Sequence, residues 1–127
     1  MSLSSKILIT TEKGDEIIVY LRSSKAPLNA ARLLRMLPLH TRIYFTHDRK
    51  IAYFTLTKRL TLEKPSRKIP RGSLFYWVQR NVLAFSLEDT VVQGYACIIG
   101  DIDKENLEIL ANLENGMKIT LRSVEGE

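Results

Sequence analysis

Apolar and polar residues alternate with a period of two along much of this 127-residue chain, the pattern of half-buried strands. KILITT (6–11) and EIIVYL (16–21) flank the turn-like EKGDE, whose Gly14 tolerates the positive φ of a tight hairpin. The chain is therefore predicted to open with a hairpin. A second hairpin follows, with strands at Arg42–His47 and Ile51–Leu56 around DRK. A third pairs Leu74–Gln79 with Val82–Leu87 and runs into a predicted loop over Glu88–Gly94. Tyr95–Ile102 is almost wholly apolar, as a strand buried on both faces would be, and MKITLRSV (117–124) reads as the closing strand.

Two segments carry the helical period instead. Ala30, Leu33, Leu34 and Leu37 share one face of a helix that Ser24 or Asn29 would cap and Pro38 would stop; Arg32 and Arg35 point away, a solvated face. A second helix should start at Asp103 and run to about Leu113, with Leu107, Ile109 and Leu110 on or near its inner face and Asn115-Gly116 at its end. About nine strands with two short helices imply a mainly β fold: a closed antiparallel barrel, which removes vulnerable edges, with helices covering its ends. A length of 127 residues suits one domain, with an ordered core of about 6–124.

Within this scheme the run Phe75-Tyr76-Trp77 raises a question of facing. Alternation puts Phe75, Trp77 and Gln79 on one side and Leu74, Tyr76 and Val78 on the other. One set fills the barrel and the other lines an outer groove. With Arg42, Tyr44, Tyr53, Gln79 and Arg80 on neighbouring strands, such a groove suits a small organic ligand or an extended peptide: aromatic walls supply area, and a few polar groups supply orientation.

Composition narrows the classes. Hydrophobic residues make up 45% and charged residues 26%, as in ordinary globular domains. The apolar stretches fall short of the ~20 residues of a membrane helix, and no signal-peptide pattern opens the chain. A lone cysteine, Cys97, excludes an internal disulfide and reads as a buried small hydrophobe, which fits a cytoplasmic location. The net charge of +5 belongs to one segment: Lys58–Gly72 holds six basic residues and one acid, and the remainder is balanced. Lys64, Arg67, Lys68 and Arg71 could grip nucleic-acid phosphates. The segment lacks the aromatics that nucleic-acid readers interleave, so a solvated connection is favoured.

Catalytic signatures are missing. The chain has no glycine-rich phosphate loop, no cysteine pair for zinc and no serine elbow. His40 and His47 lie seven residues apart without clustered carboxylates, and in Asp101-Ile102-Asp103 a capping role accounts for Asp103. No metal or other cofactor is implied.

The order of elements resembles the cyclophilin-like fold, and more closely a prokaryotic family of small cyclophilin-like barrels. The resemblance rests on NAARLLRMLP (29–38), IYFTHDRKIAYF (43–54), IPRGSLFYWVQRNVLAFSL (69–87), IIGDI (98–102) and LANLENGMKITL (110–121), and spans about Lys6 to Val124. It implies a test for peptidyl-prolyl isomerase activity. In cyclophilins a strand arginine hydrogen-bonds the prolyl substrate and aromatic residues wall the proline pocket. The nearest counterparts are Arg42 and Phe85, but IAYFTL (51–56) lacks the family's methionine and glutamine, and Tyr76-Trp77 stands where small residues line the pocket. The expectation is a binding module for a peptide or small ligand, without standard isomerase activity. Homo-oligomerisation through an exposed aromatic patch is an alternative use.

Overall fold

A computed structural model describes residues 4–22 and 25–124. Its strands are β1 (Ser4–Thr11), β2 (Glu16–Arg22), β3 (Leu39–Phe45), β4 (Ile51–Thr55), β5 (Ser66–Ile69), β6 (Ser73–Trp77), β7 (Val82–Ser86), β8 (Thr90–Asp101) and β9 (Met117–Val124). Helix α1 (Pro27–Met36) precedes β3, and α2 (Lys104–Ala111) precedes β9. Neighbouring strands run in the order β2-β1-β9-β3-β4-β7-β6-β8, and β8 pairs back with β2, so the antiparallel sheet closes on itself. The barrel expected from the hairpins is therefore formed. β5 lies outside the ring, paired to the first half of β8.

Closure is brief and tightly made. Only Tyr20↔Asp101 and Leu21↔Gly100 pair across the β2–β8 seam. A Cβ on Gly100 would stand 2.2 Å from the Tyr20 carbonyl oxygen, so the glycine of IIGD is what lets the two backbones meet. Beside it, the Arg22 guanidinium donates to both Asp101 oxygens, at 2.8 and 3.0 Å. Asp101 thus fastens the seam, and Asp103 caps α2 by accepting the Asn106 backbone N–H at 2.9 Å.

Side chains of alternating strand positions fill the interior: Ile7, Ile9, Ile17, Val19, Leu21, Ile43, Phe54, Leu83 and Ile99 are all buried. Both helices add their apolar faces to this cluster, α1 with Ala30 and Leu33 and α2 with Leu107 and Leu110. Ile109, expected on or near the inner face, turns outward at 39% exposure because the inner stripe passes through Leu107 and Leu110. Cys97 is buried in the interior as expected, and burial pushes its thiol pKa up.

Three local expectations are corrected. Asn29 is not a cap: it lies inside α1, buried, and its side-chain oxygen accepts the Thr61 N–H at 2.8 Å. Capping comes from a distant residue, Glu63, whose carboxylate accepts the N–H groups of Leu28 and Asn29 at 3.1 and 2.8 Å. Ser24, the other candidate cap, lies outside the described residues. The basic segment contains a strand, β5, rather than a plain connection. The predicted Glu88–Gly94 loop is shortened, because β8 begins at Thr90.

β5 is the one strand among the described residues that ends the order without a partner on its far side. It is four residues long, lies between Pro65 and Pro70, and exposes Arg67 and Lys68. Shortness, proline and charge each discourage pairing with another chain, which gives this stretch of the basic segment a structural use.

Candidate functional site

The β6–β7 hairpin sorts the aromatic run by face. Register pairs Leu74 with Phe85 and Tyr76 with Leu83, all four in the interior cluster. Phe75 and Trp77 pair with Ala84 and Val82 on the outer face, where a second cluster forms with Ile51, Ile69, Val92 and Ala96. Tyr76 is 1% exposed, and its hydroxyl donates to Asn81 Oδ1 at 2.6 Å. Trp77 is 7% exposed, and its indole N–H donates to the Gln93 carbonyl at 3.0 Å. The Arg80 guanidinium lies over the Trp77 ring, 4.5 Å from its centroid.

This second cluster is covered by β5 and the first half of β8. Their path off the ring turns at Gly94 (φ 84°), where the Gln79 side chain occupies the space a Cβ would take and accepts the Tyr95 N–H at 3.0 Å. The cover leaves open clefts where it meets the β3–β4 turn. One, of about 340 Å³, is lined by Thr46, Asp48, Lys50, Ile51, Trp77, Arg80 and Thr90–Gln93. A larger one, of about 680 Å³, is lined by Asp48, Lys50, Lys68, Ile69, Pro70, Asp89, Thr90 and Val91. They share Asp48, Lys50, Thr90 and Val91, and so form two hollows along a common wall.

The turn that builds this wall is pinned by hydrogen bonds. Asp48 accepts the Lys50 N–H at 3.0 Å and the Thr46 hydroxyl at 2.8 Å, and these bonds, the backbone one foremost, hold its carboxyl below its ordinary pKa. Arg49, at φ 57°, directs its guanidinium over the Phe45 ring and onto the carbonyls of Ala111 and Leu113, tying the turn to the end of α2. Asp89 accepts the Arg71 N–H at 2.8 Å and so anchors the opposite rim. The walls thus present two carboxylates and three cations around an apolar floor of Ile51, Ile69 and Val92, with the exposed Val91 at its rim. Such a surface can orient a ligand bearing both charges, and no histidine or cysteine lines it.

The candidates named from sequence do not all converge there. Trp77, Arg80 and Lys68 line the clefts; Tyr76 and Phe85 lie within the barrel. Gln79 is taken up by the β8 turn. Tyr44 and Tyr53 form a half-buried ring pair on β3 and β4, centroids 6.1 Å apart. Arg42 donates to the Gly116 carbonyl at 2.8 Å and lines a separate hollow with His40 and Lys118. Lys64, Arg67 and Arg71 line neither cleft. Asp48, Lys50, Asp89 and Thr90 escaped sequence reasoning. The DRK turn was visible, but its meeting with Glu88–Gly94 depends on β8 passing over the outer face.

A family model, the cyclophilin-like family, matches residues 11–122. The chain belongs to the cyclophilin-like family. Solved structures agree on the fold. A hypothetical protein from Archaeoglobus fulgidus superimposes with a TM-score of 0.75 at 18% identity, covering 96% of both chains. McbB, solved in complex with tryptophan, gives a TM-score of 0.73 at 18% identity over 95% of this chain and 45% of its own. No curated protein matches the chain at a significant level.

In this cyclophilin-like barrel the two residues nearest to an isomerase pair are separated by the sheet. Phe85 faces the interior, whereas Arg42, next to inward-facing Ile43, is exposed on the outer side. Among the described residues no helix is long and apolar enough to cross a membrane.

Proposed function

We propose that this protein is a cytoplasmic, non-enzymatic binding module that holds a small zwitterionic ligand, such as an amino acid or a short peptide, in the clefts beside Trp77. The observation that carries this reading is the mixed charge of one continuous wall. Lys50 and Arg80 would meet a carboxylate, and Asp48 and Asp89 an ammonium group, over an apolar floor. The hydrogen-bonded Thr46–Ile51 turn supports it, because a wall braced in advance loses less freedom on binding. The tryptophan in McbB belongs to a protein that shares the fold at 18% identity, so the reading rests on this chain's own residues.

Peptidyl-prolyl isomerase activity is disfavoured by the placement of Arg42 and Phe85 on opposite sides of the sheet. An Ala-Pro peptide separates the two readings. Uncatalysed exchange takes tens to hundreds of seconds, so even modest catalysis registers in exchange spectra. Binding without accelerated exchange is the expected result. Acceleration that disappears in Arg42→Ala would replace the binding-module reading with an isomerase.

A further inference from the structure

A separate hollow of about 280 Å³ lies between α1 and the chain that follows β4, lined by Arg32, Arg35, Met36, Lys58 and Arg59. It shares no residue with the clefts beside Trp77. Every charged residue in its lining is cationic. Arg35 lies in the last turn of α1, where a cation offsets the helix dipole, but that accounts for one of the four. Like charges three residues apart on a helix repel, and Arg32 and Arg35 are so spaced.

The fold holds these charges together instead of letting them spread. Lys58 and Arg59 are bracketed by the buried Leu56 and Leu60. Thr61 is fixed by Asn29, and its hydroxyl accepts from Arg32 at 2.7 Å. Arg59 reaches the Val78 carbonyl at 3.4 Å. Glu63, the single acid of the Lys58–Gly72 segment, accepts from the first turn of α1 and does not line the hollow. Each arginine carries five N–H donors, so the recorded bonds leave further donors on both guanidinium groups.

We infer that this hollow is an anion site for closely spaced phosphate groups, as in a diphosphate. Arginine forks match phosphate oxygens in pairs, and two lysine or arginine residues from each of two pinned segments can surround such a group. The volume suits a compact ligand. No aromatic residue lines it for base stacking, which disfavours single-stranded nucleic acid. The phosphates could belong to a soluble ester or to a lipid headgroup.

The test is calorimetric titration of the whole protein with inorganic pyrophosphate at low salt, with amide spectra recorded in parallel. Saturable binding is expected, with shifts centred on residues 32–36 and 58–61. Affinity should fall at least tenfold in Arg32→Gln and in Lys58→Gln, while Arg67→Gln on β5 stays within twofold. All three replace exposed side chains, and unchanged thermal midpoints would show that they fold. Arg32→Lys should recover only part of the loss, since it keeps the charge without the fork. Absence of saturable binding, or equal loss in Arg67→Gln, would overturn the site in favour of diffuse attraction. Co-sedimentation with phosphatidylcholine vesicles containing phosphatidylinositol 4,5-bisphosphate, whose headgroup carries adjacent phosphates, distinguishes the sources: retention abolished by Arg32→Gln assigns a lipid phosphate, and pyrophosphate binding without retention assigns a soluble ester. Retardation of RNA without pyrophosphate binding would also overturn it.

Discussion

On the inner face of the β6–β7 hairpin, Tyr76 and Phe85 belong to an interior cluster that draws side chains from strands around the ring and from both helices. On the outer face, Phe75 and Trp77 are as fully covered by residue exposure, yet their cover is one short strand and half of another. The inner cluster closes on itself. The outer one ends where β5 and β8 meet the β3–β4 turn, and there the clefts open. The difference teaches that burial of an aromatic residue does not decide its use. Tyr76 stabilises the barrel, whereas Trp77 is both packed and adjacent to the surface where charged groups gather.

The comparison breaks most visibly on core truncation. Phe85→Ala, which removes a ring at 1% exposure tilted against Phe54 with centroids 6.4 Å apart, should cost about 3–5 kcal/mol in chemical denaturation. Ile69→Ala, which loosens the anchor of β5, should cost about 2–4 kcal/mol, and hydrogen exchange should show β5 opening before β6 and β7. If β5 amides were protected as strongly as those of β7, the two layers would be one cooperative unit.

Backbone strain sharpens the same contrast. Gly94→Ala forces a side chain into positive φ at the β8 turn and should cost about 1–3 kcal/mol. Removing the obstructing side chain as well, with Gln79→Ala, relieves the clash but not the backbone conformation, so the double variant should stay destabilised. Full recovery would show that the clash alone mattered.

The smallest effect is on titration. Asp48 lies at the cleft and Asp103 at the start of α2, and hydrogen bonds from backbone N–H groups lower both pKa values. A carboxyl lowered in the folded state stabilises the protein above its unfolded pKa, and that stabilisation fades as pH falls through the folded value. Carboxyl NMR should therefore show both titrating below ordinary aspartate. Asp103→Asn, which keeps a capping oxygen without the charge, should remove the α2 share of the acid dependence.

Much of the fold was readable because hairpins are local: Gly14, the DRK turn and the Gln79–Asn81 break each lie between strands that pair directly. The helix positions followed from Pro38 and Asp103 for the same reason. What escaped was held at a distance. β5 hides among prolines and charges, and its pairing with β8 joins residues more than twenty apart. Glu63 caps α1 across a loop, and no local pattern announces it. The site was partly visible through Trp77 and Arg80, with Lys68 read only as a phosphate contact, but Asp48 and Asp89 acquire meaning only once β8 crosses the outer face.

The most direct test of the central claim is an amide-shift titration of the labelled protein with free amino acids and an Ala-Pro dipeptide, following the fluorescence of Trp77, the only tryptophan, alongside. Saturable shifts are expected at residues 46–51, 77–80 and 90–93, weakening in Lys50→Gln and Asp48→Asn with little change in folding stability. Shifts centred on Tyr44 and Tyr53, or none with any of these zwitterions, would contradict that claim.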